Sequence, residues 1–106
     1  MATFYIKETD RSPRIQTTLT DPAGTVIDLT GKTVHVEIAR LTSSTLDTDT
    51  TAIVEDAVNG VVSYSYGDGE AVFGVYKAQW VVNRGQATQE TYPNYGYDTI
   101  NIERGL

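Results

Sequence analysis

The chain has 106 residues, a length typical of one domain with a modest core, so we take residues 1–106 as a single domain. Fourteen acidic residues outnumber eight basic ones, and the net charge of −6 argues against binding to nucleic acid or to an anionic membrane. The chain has no cysteines, and no run approaches the ~18 apolar residues of a membrane span. We therefore expect a soluble protein made in a reducing cytoplasm.

The composition is that of an all-β protein. Threonine, valine and tyrosine suit half-buried strands, and the chain has seven tyrosines against two phenylalanines. No segment shows a clean helical period over ten or more residues, whereas turn sequences recur about every ten residues. This spacing predicts an antiparallel β-sandwich of two sheets with seven to nine strands.

Apolar and polar residues alternate in most segments between the turns, which is the pattern of a strand with one buried face. The predicted strands, in chain order, are Thr3–Glu8, Arg14–Thr20, Lys32–Leu41, Ala52–Asp56, Val61–Tyr66, Gly74–Val82, Ala87–Tyr92 and Tyr97–Glu103, with a short extended piece at Thr25–Ile27. Asn59-Gly60 predicts a two-residue hairpin turn, because both residues tolerate positive φ. The polar segment Thr42–Thr51 is interpreted as a long connection between sheets or a ragged edge.

Gly74–Val82 is the predicted central strand. Its apolar side carries Tyr76, Ala78, Trp80 and Val82, so this side should face the core, with the only tryptophan at its centre. The pattern Gly-x-Tyr followed by a small residue is also where immunoglobulin-like sandwiches place a corner tyrosine. We expect the other strands to pack around this one.

Catalytic and metal-binding patterns are weak. His35 is the only histidine, and with Val34 and Val36 on the core side it is expected to face solvent. The carboxylates of Asp47 and Asp49, and of Asp68 and Glu70, could offer oxygen ligands to calcium, but neither pair has the spacing of an EF-hand loop. We expect no cofactor, no metal and no enzymatic activity.

The most distinctive polar and aromatic cluster surrounds one turn. Its members are Tyr92, Pro93, Asn94, Tyr95 and Tyr97. Tyrosines around a turn can contact a protein partner or stack on sugar rings, since each offers contact area at low entropic cost. The alternative is that Tyr92 and Tyr97 pack at the sheet edge and only Tyr95 is exposed.

Short motifs recur in a fixed order along nearly the whole chain. The first half has Phe4-x-Ile6-Lys7-x-x-Asp10-x-x-Pro13-x-Ile15, Leu19-x-Asp21-x-x-Gly24 and Asp28-Leu29-Thr30-Gly31-x-Thr33-Val34. The second half has Ile53-x-x-Asp56-x-x-x-Gly60-x-Val62-x-Tyr64, Gly74-x-Tyr76-x-Ala78-x-Trp80-x-Val82 and Thr91-x-Pro93-x-x-Gly96-Tyr97-x-x-Ile100-x-Ile102. Their order and spacing resemble the immunoglobulin-like N-terminal domain of phage baseplate upper proteins.

The resemblance implies an immunoglobulin-like sandwich and a non-enzymatic structural role in a virion, as a head-surface decoration, neck or tail/baseplate accessory protein. The implied partners are other virion proteins and copies of the chain itself. The sequence departs from the family at Thr9-Asp10, where a Gly-Asp pair is usual, and at Leu106, where baseplate proteins continue into an extension that holds receptor-binding proteins. The alternative function is a carbohydrate-binding or host-adhesion module with weak glycan contacts.

Overall fold

Nine strands form in residues 2–106, which are the residues that the computed structural model describes. They are β1 (Thr3–Lys7), β2 (Ile15–Thr18), β3 (Val34–Arg40), β4 (Leu46–Thr51), β5 (Ile53–Asp56), β6 (Val61–Tyr64), β7 (Gly74–Val82), β8 (Glu90–Tyr92) and β9 (Asp98–Glu103). The described chain is therefore all-β, as predicted. Each predicted strand lies over an observed one, although most observed strands are shorter.

The strands form two sheets that enclose one core. The larger sheet has the order β1-β9-β7-β3-β4, with β8 also paired to β7, and the smaller sheet has the order β2-β6-β5. This order places β3, β7 and β9 in the positions of strands C, F and G of immunoglobulin-like sandwiches, and β2, β5 and β6 in the positions of B, D and E. The predicted two-sheet sandwich is confirmed. The prediction that all strands pair antiparallel is wrong at one place, because β1 pairs with β9 in parallel.

The parallel pair has a topological reason. Antiparallel neighbours are usually joined by short hairpins, whereas parallel neighbours need a long connection. Strands β1 and β9 come from opposite ends of the described chain, so no hairpin constrains their direction, and Thr3 lies beside Thr99 at the start of both strands. Alternation alone gives no strand direction, which is why the sequence did not predict this pairing.

The core is built on β7. Trp80 is fully buried and pairs with Val36 on β3 and with Tyr92 on β8. The smaller sheet contributes Ile15 and Val62 from the opposite layer. The predicted core sides of β7 and β3 are confirmed, and the buried side chains on them include Tyr76, Ala78, Val82, Val34 and Ile38. Leu29, between β2 and β3, is buried as well.

Tyr76 forms the corner contact that its sequence context predicts. Its hydroxyl donates a hydrogen bond to the carbonyl oxygen of Val72 at 2.9 Å, and the guanidinium of Arg40 lies 5.0 Å from its ring centroid. Glycine suits position 74 because its φ of 149° is one that L side chains rarely adopt, and a Cβ there would also displace the Arg40 guanidinium, whose Nη1 would lie 2.6 Å away. The backbone of Gly74, the ring of Tyr76 and the guanidinium of Arg40 thus fix the start of β7 together.

One local prediction is confirmed in part and another is wrong. Of the two interpretations of Thr42–Thr51, a long connection or a ragged edge, the structure has the edge. The second half of Thr42–Thr51 is the edge strand β4, paired with β3 from Leu46 to Thr51. Its exposed threonines and aspartates protect the sheet edge, and a strand with no apolar face has no alternation to detect.

The hairpin between β5 and β6 uses the four residues 57–60 rather than the predicted two, with a positive φ of 70° at Gly60. Asp56 stabilises this longer turn by accepting a hydrogen bond from the side-chain amide of Asn59 at 2.8 Å.

Replacing Trp80 by alanine is expected to lower the free energy of unfolding by about 3–5 kcal/mol, because the fully buried indole would leave a cavity. Trp80→Phe keeps a ring but removes the indole N–H, so its loss should be smaller, about 1–3 kcal/mol. Urea denaturation followed by circular dichroism measures both values. An unchanged midpoint for Trp80→Ala would contradict the central position of β7.

Candidate functional site

The predicted tyrosine cluster forms a loop on the flank of the larger sheet. Strands β8 and β9 both pair with β7, Tyr92 opposite Trp80 and Asp98 opposite Ala78. Residues 93–97 therefore project from the side of the sheet between two strands that follow the same course. The predicted strand Ala87–Tyr92 is shorter than expected, because the turn after β7 extends to Gln89, whose N–H donates to the carbonyl of Gln86.

A buried acidic side chain fixes the C-terminal end of this loop. Asp98 is 4% exposed, and the indole N–H of Trp80 donates to its Oδ2 at 3.0 Å. The backbone N–H of Ala2 donates to its Oδ1 at 2.8 Å, and Thr99 N–H donates to the carbonyl of Ala2 at 2.8 Å. Both carboxyl oxygens thus have donors, which offsets the cost of burying them. The side chain of Asp98 thus connects the loop to the core and to the start of β1.

A buried tyrosine fixes the other end. Tyr92 is 2% exposed, and its hydroxyl donates to Glu90 Oε2 at 3.1 Å. Burial, together with the carboxylate of Glu90, raises the pKa of Tyr92 to about 12. Tyr92 is therefore part of the core rather than an exposed contact residue. This agrees with the alternative in which Tyr92 packs at the sheet edge.

The remaining predicted site residues lie at the surface. Tyr95 is 85% exposed, and Tyr97 is 46% exposed with the ammonium of Lys77 at 5.2 Å from its ring centroid. The side-chain amide of Asn94 donates to the carbonyl of Thr91 at 3.0 Å, so it braces the loop. Pro93 follows a cis peptide bond and is half-buried. Tyr97 is more exposed than edge packing alone implies, which leaves two rings available to a partner.

Two grooves flank the loop and meet at Pro93 and Thr20. One, of about 180 Å³, lies between the loop and strand β2 and is lined by Ala2, Thr17, Thr18, Leu19, Thr20, Tyr92, Pro93 and Asp98. The other, of about 380 Å³, lies under Tyr95 and is lined by Thr20, Asp21, Pro22, Gly24, Pro93, Asn94 and Tyr95. The sequence identifies Asp21-Pro22-Ala23-Gly24 as a turn, but no sequence signal shows that this turn lies beside Tyr95.

The other candidate groups are engaged locally. Asp49 and Glu37 bind the guanidinium of Arg84, with 3.0 Å between Arg84 Nη1 and Glu37 Oε2. Asp68 lies 3.4 Å from Arg11. Within residues 2–106 no group of three or more His, Cys, Asp or Glu side chains is placed to hold a metal ion. The same residues include no helix long and apolar enough to cross a membrane.

His35 is less exposed than predicted. It points away from the core, but it is half-buried and its Nδ1 is enclosed without a hydrogen-bond partner. His35 pairs with Val81, while Glu37 lies further along β3. Val81, opposite His35 on the same outer face, is also buried. The guanidinium of Arg84, which follows β7, binds Glu37 two residues further along β3.

No family model matches the chain, and no curated protein matches it. The geometry of the loop and its grooves therefore carries the functional argument.

The raised pKa of Tyr92 predicts a loss of stability in alkali. The hydroxyl has a pKa of about 10 in an unfolded chain, so the unfolded state loses the proton first as the pH rises. The stabilising contribution is full below pH ~10 and falls between pH ~10 and ~12. Urea denaturation over this range should show a shallower fall for Tyr92→Phe than for the unchanged protein. Burial also raises the pKa of Tyr66, so the stability of Tyr92→Phe should still fall somewhat with rising pH. If the stability of both proteins fell equally steeply with pH, the burial of the Tyr92 hydroxyl would be contradicted.

Proposed function

We propose that the protein is a non-enzymatic structural protein of a phage virion, which docks on the particle as a head-surface decoration, neck or tail/baseplate accessory protein. The resemblance of its motifs to baseplate upper proteins motivates this proposal, and the sandwich is the fold that the resemblance implies. The partners are capsid, neck or tail proteins. The chain is made in the host cytoplasm and then joins the virion.

The observation that carries the proposal is Tyr95, an exposed ring on a loop that is clamped at both ends. Tyr92 and Asp98 are buried on either side, so the loop keeps its shape while Tyr95 is 85% exposed. A pre-positioned tyrosine loses little conformational freedom on binding and brings a large contact area with a hydrogen-bonding group. Residues of this type are enriched among those that dominate the energy of protein interfaces.

The chemistry of the grooves supports a contact role rather than catalysis. Their two acidic residues are Asp21 and Asp98. Asp21 Oδ1 accepts backbone hydrogen bonds from Ala23 and Thr25, each at 3.0 Å, and both oxygens of Asp98 have donors. These carboxyl groups stabilise the turn and the loop. The rest of the lining is mainly threonine, proline and tyrosine, with Leu19 in one groove and Asn94 in the other.

Carbohydrate binding is the second candidate, because the groove under Tyr95 combines an exposed ring with the polar side chains of Asn94 and Asp21. A sugar could stack on the ring and hydrogen-bond to these groups. Titration with sugars of the host cell wall, followed by NMR, tests this function. Shifts at Tyr95 and Asn94 would support it, and unchanged spectra at millimolar sugar would exclude it.

Tyr95→Ala is expected to reduce the amount of the protein on purified particles at least about tenfold, which corresponds to about 1.4 kcal/mol of binding free energy. Its free energy of unfolding should change by no more than about 0.5 kcal/mol, since the ring is exposed. Tyr5→Ala is the matched control, because Tyr5 is 63% exposed on β1 and lines neither groove beside the loop. Quantitative mass spectrometry of the particles measures all three proteins.

Two results would count against the proposal. Absence of the unchanged protein from purified particles would exclude a virion role. Equal loss from Tyr95→Ala and Tyr5→Ala would show that the loop is not the docking surface.

A further inference from the structure

Strand β2 is an edge strand with backbone groups available for pairing. It pairs with β6 on one side only within residues 2–106. Leu19 N–H donates to the carbonyl of Gly60 at 2.8 Å, on the β6 side. Successive N–H groups of a strand point to opposite edges, so those of Gln16 and Thr18 point away from β6. Both residues are exposed.

The free edge of β2 lacks the charged residues that are found on the other edge strands. Charged residues protect sheet edges from pairing with another chain. Such residues stand in every other edge strand of residues 2–106: Lys7 in β1, Asp47 and Asp49 in β4, Glu55 and Asp56 in β5, and Glu90 in β8. The sequence of β2 is Ile-Gln-Thr-Thr, without a charge.

The nearest charge is directed elsewhere. Arg14 precedes β2, but its guanidinium lies 2.6 Å from Glu55 on β5, at the opposite edge of the smaller sheet. Its side chain therefore extends across the sheet and away from the free edge. The edge of β2 is left open by the placement of the charges around it.

A groove follows the same edge. Thr17 and Thr18 of β2 and the next two residues form one wall of the 180 Å³ groove, and Tyr92 and Pro93 stand on the other side. The groove continues at Thr20 and Pro93 into the space under Tyr95. When a peptide joins a sheet as an extra strand, backbone hydrogen bonds give affinity and pockets for alternate side chains give specificity. Strand β2 offers the backbone groups of its free edge, and the groove beside it offers space for side chains.

We propose that β2 accepts an extended, uncharged or basic segment of a different virion protein as a fourth strand of the smaller sheet. Four-stranded immunoglobulin-like sheets place strand A at this position beside B, whereas here β1 pairs with β9. A second copy could offer only its own uncharged β2 edge, since its other edge strands carry charges that hinder pairing, and the net charge of −6 on each chain opposes that approach. This inference deepens the proposed function and rests on it for the identity of the partner.

The first test is NMR of the full chain with a synthetic peptide, acetyl-KVTVTVK-amide, as an extended basic probe. The amides of Gln16 and Thr18 should shift and exchange more slowly with solvent, while those of the β4 edge should not. Thr18→Pro removes an outward N–H without breaking the pairing with β6, and it should weaken peptide binding at least about tenfold. Shifts spread equally over β2, β4 and β5, or no shift at millimolar peptide, would overturn the proposed site.

Thr51→Pro is the matched control. Ala52 N–H donates to the carbonyl of Val34 at 2.8 Å, so the N–H of the preceding Thr51 points away from β3 at the β4 edge. This variant carries the same chemical change at an edge that should not bind, and it should keep the affinity of the unchanged protein. Equal effects of Thr18→Pro and Thr51→Pro would overturn strand addition at β2.

The second test separates strand addition from the virion role. Mass spectrometry of particles should find Thr51→Pro at the normal level and Thr18→Pro reduced at least about tenfold. Normal incorporation of Thr18→Pro would overturn strand addition while leaving the virion role intact. If the unchanged protein is absent from particles but binds the peptide at β2, the virion role fails and the strand-accepting edge is supported.

Discussion

The hydrogen bond between the indole of Trp80 and the buried side chain of Asp98 connects the main parts of the structure. A carboxyl group in a core is costly unless donors satisfy it, and here Trp80 supplies one donor and the backbone of Ala2 the other. The first donor belongs to β7, the acceptor begins β9, and the second donor precedes β1. One side chain thus fixes the central strand, the last strand and the parallel edge strand relative to each other.

The same contact explains why the loop at residues 93–97 can act as a site. Strands β8 and β9 follow one course along β7, so the residues between them must leave the plane of the sheet. A projecting loop of this kind is usually mobile, but Asp98 holds one end and the buried ring of Tyr92 holds the other. Tyr95 is exposed in a loop whose two flanking residues, Tyr92 and Asp98, are buried. The core therefore sets the position of the proposed contact residue, Tyr95, without itself being exposed at the loop.

The sequence predicted the parts of the fold that alternation encodes. Strands β3 and β7 each have one side that is mainly apolar, so the sequence predicts their core residues correctly, although the other side of β7 mixes Val75 and Val81 with Lys77 and Gln79. Strand β4 has no apolar side, so its Thr and Asp residues resemble a loop. The tyrosine cluster was visible from composition, but the burial of Tyr92 depends on its pairing with Trp80. The neighbouring turn at Asp21 could not be assigned to the site, because that contact joins residues far apart in sequence.

The charges of the chain take on a structural meaning once the strand order is known. Fourteen acidic residues first argue only against nucleic acid and anionic membranes. In the fold, several of them occupy edge strands β4 and β5, where they oppose pairing with another chain. The uncharged edge of β2 lies beside the grooves that Tyr95 and Pro93 border. Protection of the other edges and exposure of this one favour a single direction of approach, and a partner that followed it would meet backbone groups and a tyrosine together.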